Sequence, residues 1–314
     1  MLEHRLAKLA AAATFVLLVI GGTVNPTGSS LACPEPTLVC HGQLFPPMVG
    51  GVFYEHGHRL AAMTVGLLQI ILTILLIRRG EKRMAWLLLG MVILQGLLGA
   101  ITVKYKLPWF VSTGHLLLGM SYFATLIYTA FLTRPAANPT ELDTHARRVL
   151  ELGPAERWIK IAVGAVFIQL LLGALVRHLG AAMVCLGMPT CTIAGDWWPD
   201  AAVQHLHMIH RAFGVIVALV TTIAAVQVYR RTKNWPSLRV LATLAPVLVA
   251  TQVILGIYTV LTMRSVPVAV GHFAGAASLW ALWMYSYLMS RPSRRTVAVV
   301  VEPAPLPRAK VVAA

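Results

Sequence analysis

Four histidines, one glutamate and four cysteines are the residues in this sequence whose types and spacing suit chemistry. His58 lies in YEHGHRLAAM (54–63), His115 in TGHLLLG (113–119), His210 in HMIHR (207–211) and His272 in VGHFAGA (270–276). Each sits in an apolar stretch, where a polar ring costs free energy unless something holds it. A lone intramembrane histidine is ordinarily a hydrogen-bonding residue between helices. Four in a repeated pair pattern point instead to two facing imidazoles per bundle, the axial ligand set of a porphyrin iron, and Gly57, Gly114 and Gly271 leave room for a flat macrocycle. A zinc site is disfavoured, because no carboxylate or thiol stands at ligand spacing with each pair.

Glu55 precedes His58 by three residues, which puts it one helical turn away on the same face. There it could pass protons or stabilise developing positive charge, or simply pair with Arg59 or an imidazole. Arg59 and Arg211 each follow a ligand candidate and either snorkel to headgroups or pair with haem propionates. Cys33 and Cys40 close CPEPTLVC, and Cys185 and Cys191 close CLGMPTC. Short spacing and an oxidising compartment lead to two expected disulfides, Cys33–Cys40 and Cys185–Cys191. Such small loops add at most a few kcal/mol of stability. A disulfide beside a redox centre can also cycle, so both roles stay open for Cys33/Cys40, while Cys185/Cys191 reads as structural.

These residues must be positioned by membrane helices. Of the 314 residues 58% are hydrophobic and 12% charged, with a mean hydropathy of +0.74, which excludes a water-soluble globule. Runs long enough to cross a bilayer fall at 8–24, 53–77, 84–103, 109–131, 159–177, 202–229, 239–261 and 268–290. The net charge of +15 gathers in every second connection, in RRGEKR (78–83), around Arg147 and Arg148, in RRTKNWPSLR (230–239) and in the tail. By the positive-inside rule the protein is a multi-pass cell-membrane protein with both termini cytoplasmic and the cysteine loops outside. Basic residues in short loops, without a basic helix or interleaved aromatics, argue against nucleic acid as a partner and leave membrane lipid as the surrounding phase. The first run also has the look of a cleaved signal peptide, but its mid-chain counterpart argues for retention.

That counterpart belongs to an internal repeat. Gly21, Val24, Gly28, Cys33 and His58 recur, shifted by 152, as Gly173, Val176, Gly180, Cys185 and His210; Gln95, Gly99 and His115 recur, shifted by 157, as Gln252, Gly256 and His272. The expected fold is all-α: eight transmembrane helices as two tandem four-helix bundles. The N-terminal half spans 1–131, a cytoplasmic linker 132–158, the C-terminal half 159–290 and a basic cytoplasmic tail 291–314. The repeat breaks at Glu55, which aligns with His207. One half is therefore expected to do chemistry while the other holds a permanent electron-transfer cofactor.

Together the segments TGSSLACPEPTLVCHGQLFPP, EHGHR, TGHLLLG, GALVRHLGAAMVCLGMPTC, HMIHR and VGHFAGA, in this order and duplicated, make the chain resemble the cysteine-bearing bacterial branch of the haem A synthase family, over about residues 10–290. The resemblance implies an oxidoreductase that converts a methyl group of haem O to the formyl group of haem A for terminal oxidases. It implies His58 and His115 on the iron of the substrate haem, His210 and His272 on a resident haem b, Glu55 as the catalytic carboxylate and Cys33/Cys40 as a redox pair. The haem O synthase that supplies the substrate and an electron-transfer protein would be its partners. The sequence departs from the family at VNPTG, where a basic residue is expected near Asn25, and at Pro34–Thr37, where an aromatic is common. The alternative from the histidines alone is a dihaem membrane cytochrome for quinol-linked electron transfer.

Overall fold

The computed structural model describes residues 1–135 and 137–291, so the expected basic tail lies outside the described residues beyond Arg291. Eight helices are long and apolar enough to cross a membrane: α1 (Leu2–Val24), α2 (Gly50–Arg78), α3 (Lys82–Lys104), α4 (Trp109–Leu132), α6 (Ala155–His178), α7 (Ala202–Arg231), α8 (Pro236–Leu261) and α9 (Val266–Met289). Each expected run is found, several extended by a turn at the ends. The extensions bring Glu3 and Glu156 into the first turns of α1 and α6. Within lipid these helices satisfy their own backbone groups, which is why the apolar sequence folds this way.

A further helix, α5 (Pro139–Leu152), occupies much of the expected linker. Its start is set by a capping box: the Asn138 side chain accepts from Glu141 N at 2.8 Å, and the Glu141 carboxylate accepts from Asn138 N at 3.0 Å. Proline at the first helical position needs no backbone donor. Charge and proline made this segment read as a plain linker, yet the same residues are helix-start signals.

Helices α1 to α4 pack in one closed cycle, α1–α2–α3–α4–α1, and α6 to α9 in another, α6–α7–α8–α9–α6. The two cycles meet where α1 and α4 pack on α9 and where α4 packs on α6. Several contacts there are polar, among them Trp280 Nε1 donating to the Met120 carbonyl at 3.1 Å. The turns α3–α4 and α8–α9 match residue for residue under the shift of 157. Lys106 and Leu107 have φ of 55° and 66°, Met263 and Arg264 φ of 50° and 62°. Both turns lie, with the disulfide loops, at one end of the bundle; both described termini and α5 lie at the other.

Inside the first cycle Tyr122 OH donates to Gln69 Oε1 at 2.8 Å, and Gln69 Nε2 donates to Thr73 Oγ1 at 2.9 Å. Gln69 and Thr73 are buried on α2. Tyr122→Phe, which leaves the Gln69 carbonyl without its donor, is expected to lower stability by about 1 kcal/mol in a denaturant titration followed by far-ultraviolet circular dichroism; an unchanged midpoint would show that the network contributes nothing.

Candidate functional site

Helix register puts the four histidines at equivalent places. His58 and His210 are each the ninth residue of their helices, and His115 and His272 each the seventh. At a rise of roughly 1.5 Å per residue the four rings therefore sit about 9–12 Å below the disulfide end. All four are half-buried. His58 lies within electrostatic reach of His115, and His210 of His272.

Each ring rests on a glycine of the preceding helix. A Cβ added at Gly21 would come within 2.7 Å of His58 Cε1; at Gly99, within 3.3 Å of His115 Cε1; at Gly173, within 3.2 Å of His210 Cε1; and at Gly256, within 3.3 Å of His272 Cε1. A larger residue at any of the four would displace a ring. On the other side, a Cβ at Gly114 would meet nothing within 4 Å, and at Gly57 and Gly271 it would meet only side-chain carbons at 3.8 and 3.7 Å. Glycines of the preceding helices thus back the imidazoles, and the glycines next to His58, His115 and His272 in the chain are uncrowded.

Glutamines add a second layer in three of the four helix pairs. Gln95 Nε2 donates to the His115 carbonyl at 2.9 Å, and Gln169 Nε2 to the His210 carbonyl at 3.1 Å. Gly119 and Gly214, four residues beyond those histidines, let the amides in, since a Cβ there would lie 3.2 Å from Gln95 or Gln169. His115 Nδ1 is also 3.1 Å from the Gln95 carbonyl, a contact that orients a ring when Nδ1 carries the proton. Gln252 takes the third place, against Gly275, but its side-chain amide has no hydrogen-bond partner among the described residues. In α1 the corresponding position is Leu17. The recurring Gln-x3-Gly spacing on α3, α6 and α8 was a readable signal; as a repeat landmark alone it did not reveal this role.

Nδ1 of His58, His210 and His272 is enclosed with no hydrogen-bond partner among the described residues. Because Nδ1 faces the glycine seat, Nε2 is the nitrogen each of these rings offers to a ligand. Glycine-seated, half-buried imidazoles, two to each helix cycle, suit a planar macrocycle with an iron between two rings.

Above the first pair, Cys33 and Cys40 form a buried disulfide, and Cys185 and Cys191 form another above the second. Arg59 and Arg211 turn toward these loops. Arg59 Nη1 donates to the carbonyls of Glu35 (2.6 Å), Thr37 and Val39 (3.2 Å), and Nη2 to that of Cys33 (3.1 Å). Arg211 repeats the scheme with Gly187 (2.8 Å), Thr190 (2.9 Å) and Cys185 (2.7 Å). Such tie-backs over twenty residues or more are invisible to sequence spacing.

The loops differ in what lies beneath them. Glu55 is buried; Oε1 accepts from Arg59 at 2.6 Å and Oε2 from the Cys33 backbone N–H at 2.9 Å. Its counterpart His207 has Nδ1 2.8 Å from the Ala181 carbonyl. His56, fully buried, groups with both sulfurs of Cys33 and Cys40 within 4.8 Å, whereas its counterpart under the shift of 152, Met208, packs on Cys185 and Cys191. His205 stacks on Trp198 at 4.6 Å.

Residues 48–284 match the family model described as Cytochrome oxidase assembly protein. The chain is 25% identical over 291 residues to the Heme A synthase of Bacillus licheniformis, covering 91% of this chain and 95% of that protein. It is 28% identical to those of Shouchella clausii (83% of this chain, 87% of the relative) and Symbiobacterium thermophilum (94% and 98%).

Arg59→Ala removes four loop contacts and leaves Glu55 without its cation, so the Cys33–Cys40 loop is expected to open. Partial reduction followed by alkylation and mass spectrometry should label Cys33 and Cys40 about tenfold faster than in the parent, with Cys185 and Cys191 unaffected. Equal labelling rates would show that Arg59 does not hold the loop.

Proposed function

The chain belongs to the cytochrome oxidase assembly protein family, and we propose that it is a haem A synthase that oxidises a methyl group of haem O to the formyl group of haem A for terminal oxidases. The observation that carries this reading is the set of four imidazoles seated on Gly21, Gly99, Gly173 and Gly256 at matching helix positions, two in each helix cycle. The N-terminal half, 1–131, holds the substrate haem between His58 and His115; the C-terminal half, 159–290, holds a resident haem b between His210 and His272. The unequal surroundings of the two pairs support that division, since among the described residues only the first has a buried carboxylate one turn from a ligand candidate.

Haem b, when bound, supplies one-electron transfer. The protein's own residues do the rest. His58 and His115 fix the height and plane of the substrate, with Gly99 and Gln95 holding His115 in place. Glu55, one turn from His58, keeps a carboxylate near the substrate edge, oriented through Oε1 by Arg59 and through Oε2 by the Cys33 N–H. There it stabilises positive charge or accepts a proton as the methyl group is oxidised. The Cys33–Cys40 disulfide, tied to Glu55 through the Cys33 backbone, is placed to exchange electrons above the substrate. Cys185–Cys191 closes the other loop as a structural bridge.

The distribution of Lys and Arg supports N-terminus and C-terminus inside, with both disulfide loops on the outer face. Haem O comes from a haem O synthase in the same membrane, and an electron-transfer protein completes the redox chain.

Purified protein supplied with haem O, its pigments then extracted, tests the activity: hydroxymethyl or formyl haem is expected, and redox cycling without a haem product would favour a dihaem cytochrome. Glu55→Gln should keep haem binding while lowering product formation about a hundredfold; joint loss of both would make Glu55 structural. His210→Ala or His272→Ala should abolish the haem b spectrum, and an unchanged spectrum would contradict that ligand pair.

A further inference from the structure

At the end of α6 stands a cation without an anion. Arg177 is half-buried, and its Nε is enclosed with no hydrogen-bond partner. Its Nη2 reaches only the carbonyls of Gly21 and Gly22, each at a long 3.4 Å. The guanidinium also lies over the Phe273 ring, 5.8 Å from its centroid. Arg264, in the α8–α9 turn, is within electrostatic reach of Arg177 and is likewise only half-exposed. No carboxylate pairs with either arginine among the described residues. The acids of this end are engaged elsewhere: Glu55 by Arg59 and Cys33 N–H, Glu35 by the N–H groups of His41 and Gly42, and Asp196 by Thr192, while Asp200 is exposed on its loop. Two neighbouring cations at the edge of a hydrocarbon phase, one with an orphaned donor, are costly unless an anion sits between them.

The direction of that anion follows from what surrounds Arg177. Although α6 belongs to the second helix cycle, its last two residues face the first. Arg177 contacts Gly21, the seat of His58, and lies within electrostatic reach of His58 itself. His178 Nδ1 is 3.2 Å from Thr113 Oγ1 on α4, two residues from His115. The end of α6 therefore spans both ligand helices of the first pair. The repeat withholds this device from the second pair, because the counterpart of Arg177 is Asn25 at the end of α1.

We propose that Arg177, backed by Arg264, binds a carboxylate side chain of the porphyrin held by His58 and His115, so that the C-terminal half completes the substrate site of the N-terminal half. This rests on the haem-binding reading of His58 and His115 given above. A carboxylate there accepts charge-assisted hydrogen bonds from a planar, forked donor, and it neutralises the uncompensated charge. Arg59 by contrast already spends both terminal nitrogens on loop carbonyls and Glu55.

The test is an absorbance titration of the full-length protein in detergent with iron protoporphyrin IX and, separately, its dimethyl ester, taking the component of binding that His58→Ala removes. The parent should bind the free acid about ten- to a hundredfold more tightly than the ester. Arg177→Gln should bring acid binding down to the level of the ester while leaving ester binding unchanged, and Arg177→Lys should restore part of the difference. An acid-to-ester ratio in Arg177→Gln equal to that of the parent would overturn the proposal. Loss of ester binding as well would make Arg177 structural and overturn it too. If His58→Ala removes no binding at all, the assignment of His58 fails, and the proposal with it, an outcome distinct from the other two.

Discussion

Everything in this protein depends on the contact between an imidazole edge and a glycine Cα on the neighbouring helix. In hydrocarbon a polar ring must be held by something, and helices that approach through glycine can hold it without side-chain slack. The contact is made four times, at Gly21, Gly99, Gly173 and Gly256, with ring atoms between 2.7 and 3.3 Å from where a Cβ would be. It fixes each ring's height and forces each helix pair to cross at the same depth.

Duplication supplies the frame and its breaks assign the work. Beneath one loop lie Glu55 and His56, beneath the other His207 and Met208. One α1-type helix carries Leu17 and Asn25; its counterpart carries Gln169 and Arg177. Each exchange moves charge or hydrogen-bonding capacity from one half to the other, while the ring seats stay constant. The proposed function, with one porphyrin altered and one retained, calls for that division between a shared scaffold and unequal surroundings.

The spanning helices and the depth of the histidines were legible because a bilayer demands long apolar runs and because the repeat aligned His58 with His210 and His115 with His272. The family was legible from ordered motifs. Glu55 was legible as an acid in an apolar run, but its partners were not. Its bond to Cys33 N–H closes a loop of 22 residues, and Arg59 ties back to Glu35, Thr37 and Val39 across a similar span, contacts set by loop packing rather than by any helical period. The glycine seats were visible as repeat landmarks without a role, since a seat is a property of two helices. Helix α5 was missed because its capping residues, Asn138, Pro139 and Glu141, are also linker residues.

Near-infrared magnetic circular dichroism of the oxidised, haem-loaded protein tests the central claim most directly, because it reports the axial ligands of each low-spin iron. The account predicts bis-imidazole signals from two haems, one lost in His58→Ala and the other in His210→Ala. A signal from any other ligand pair, or one that survives both substitutions, would contradict it.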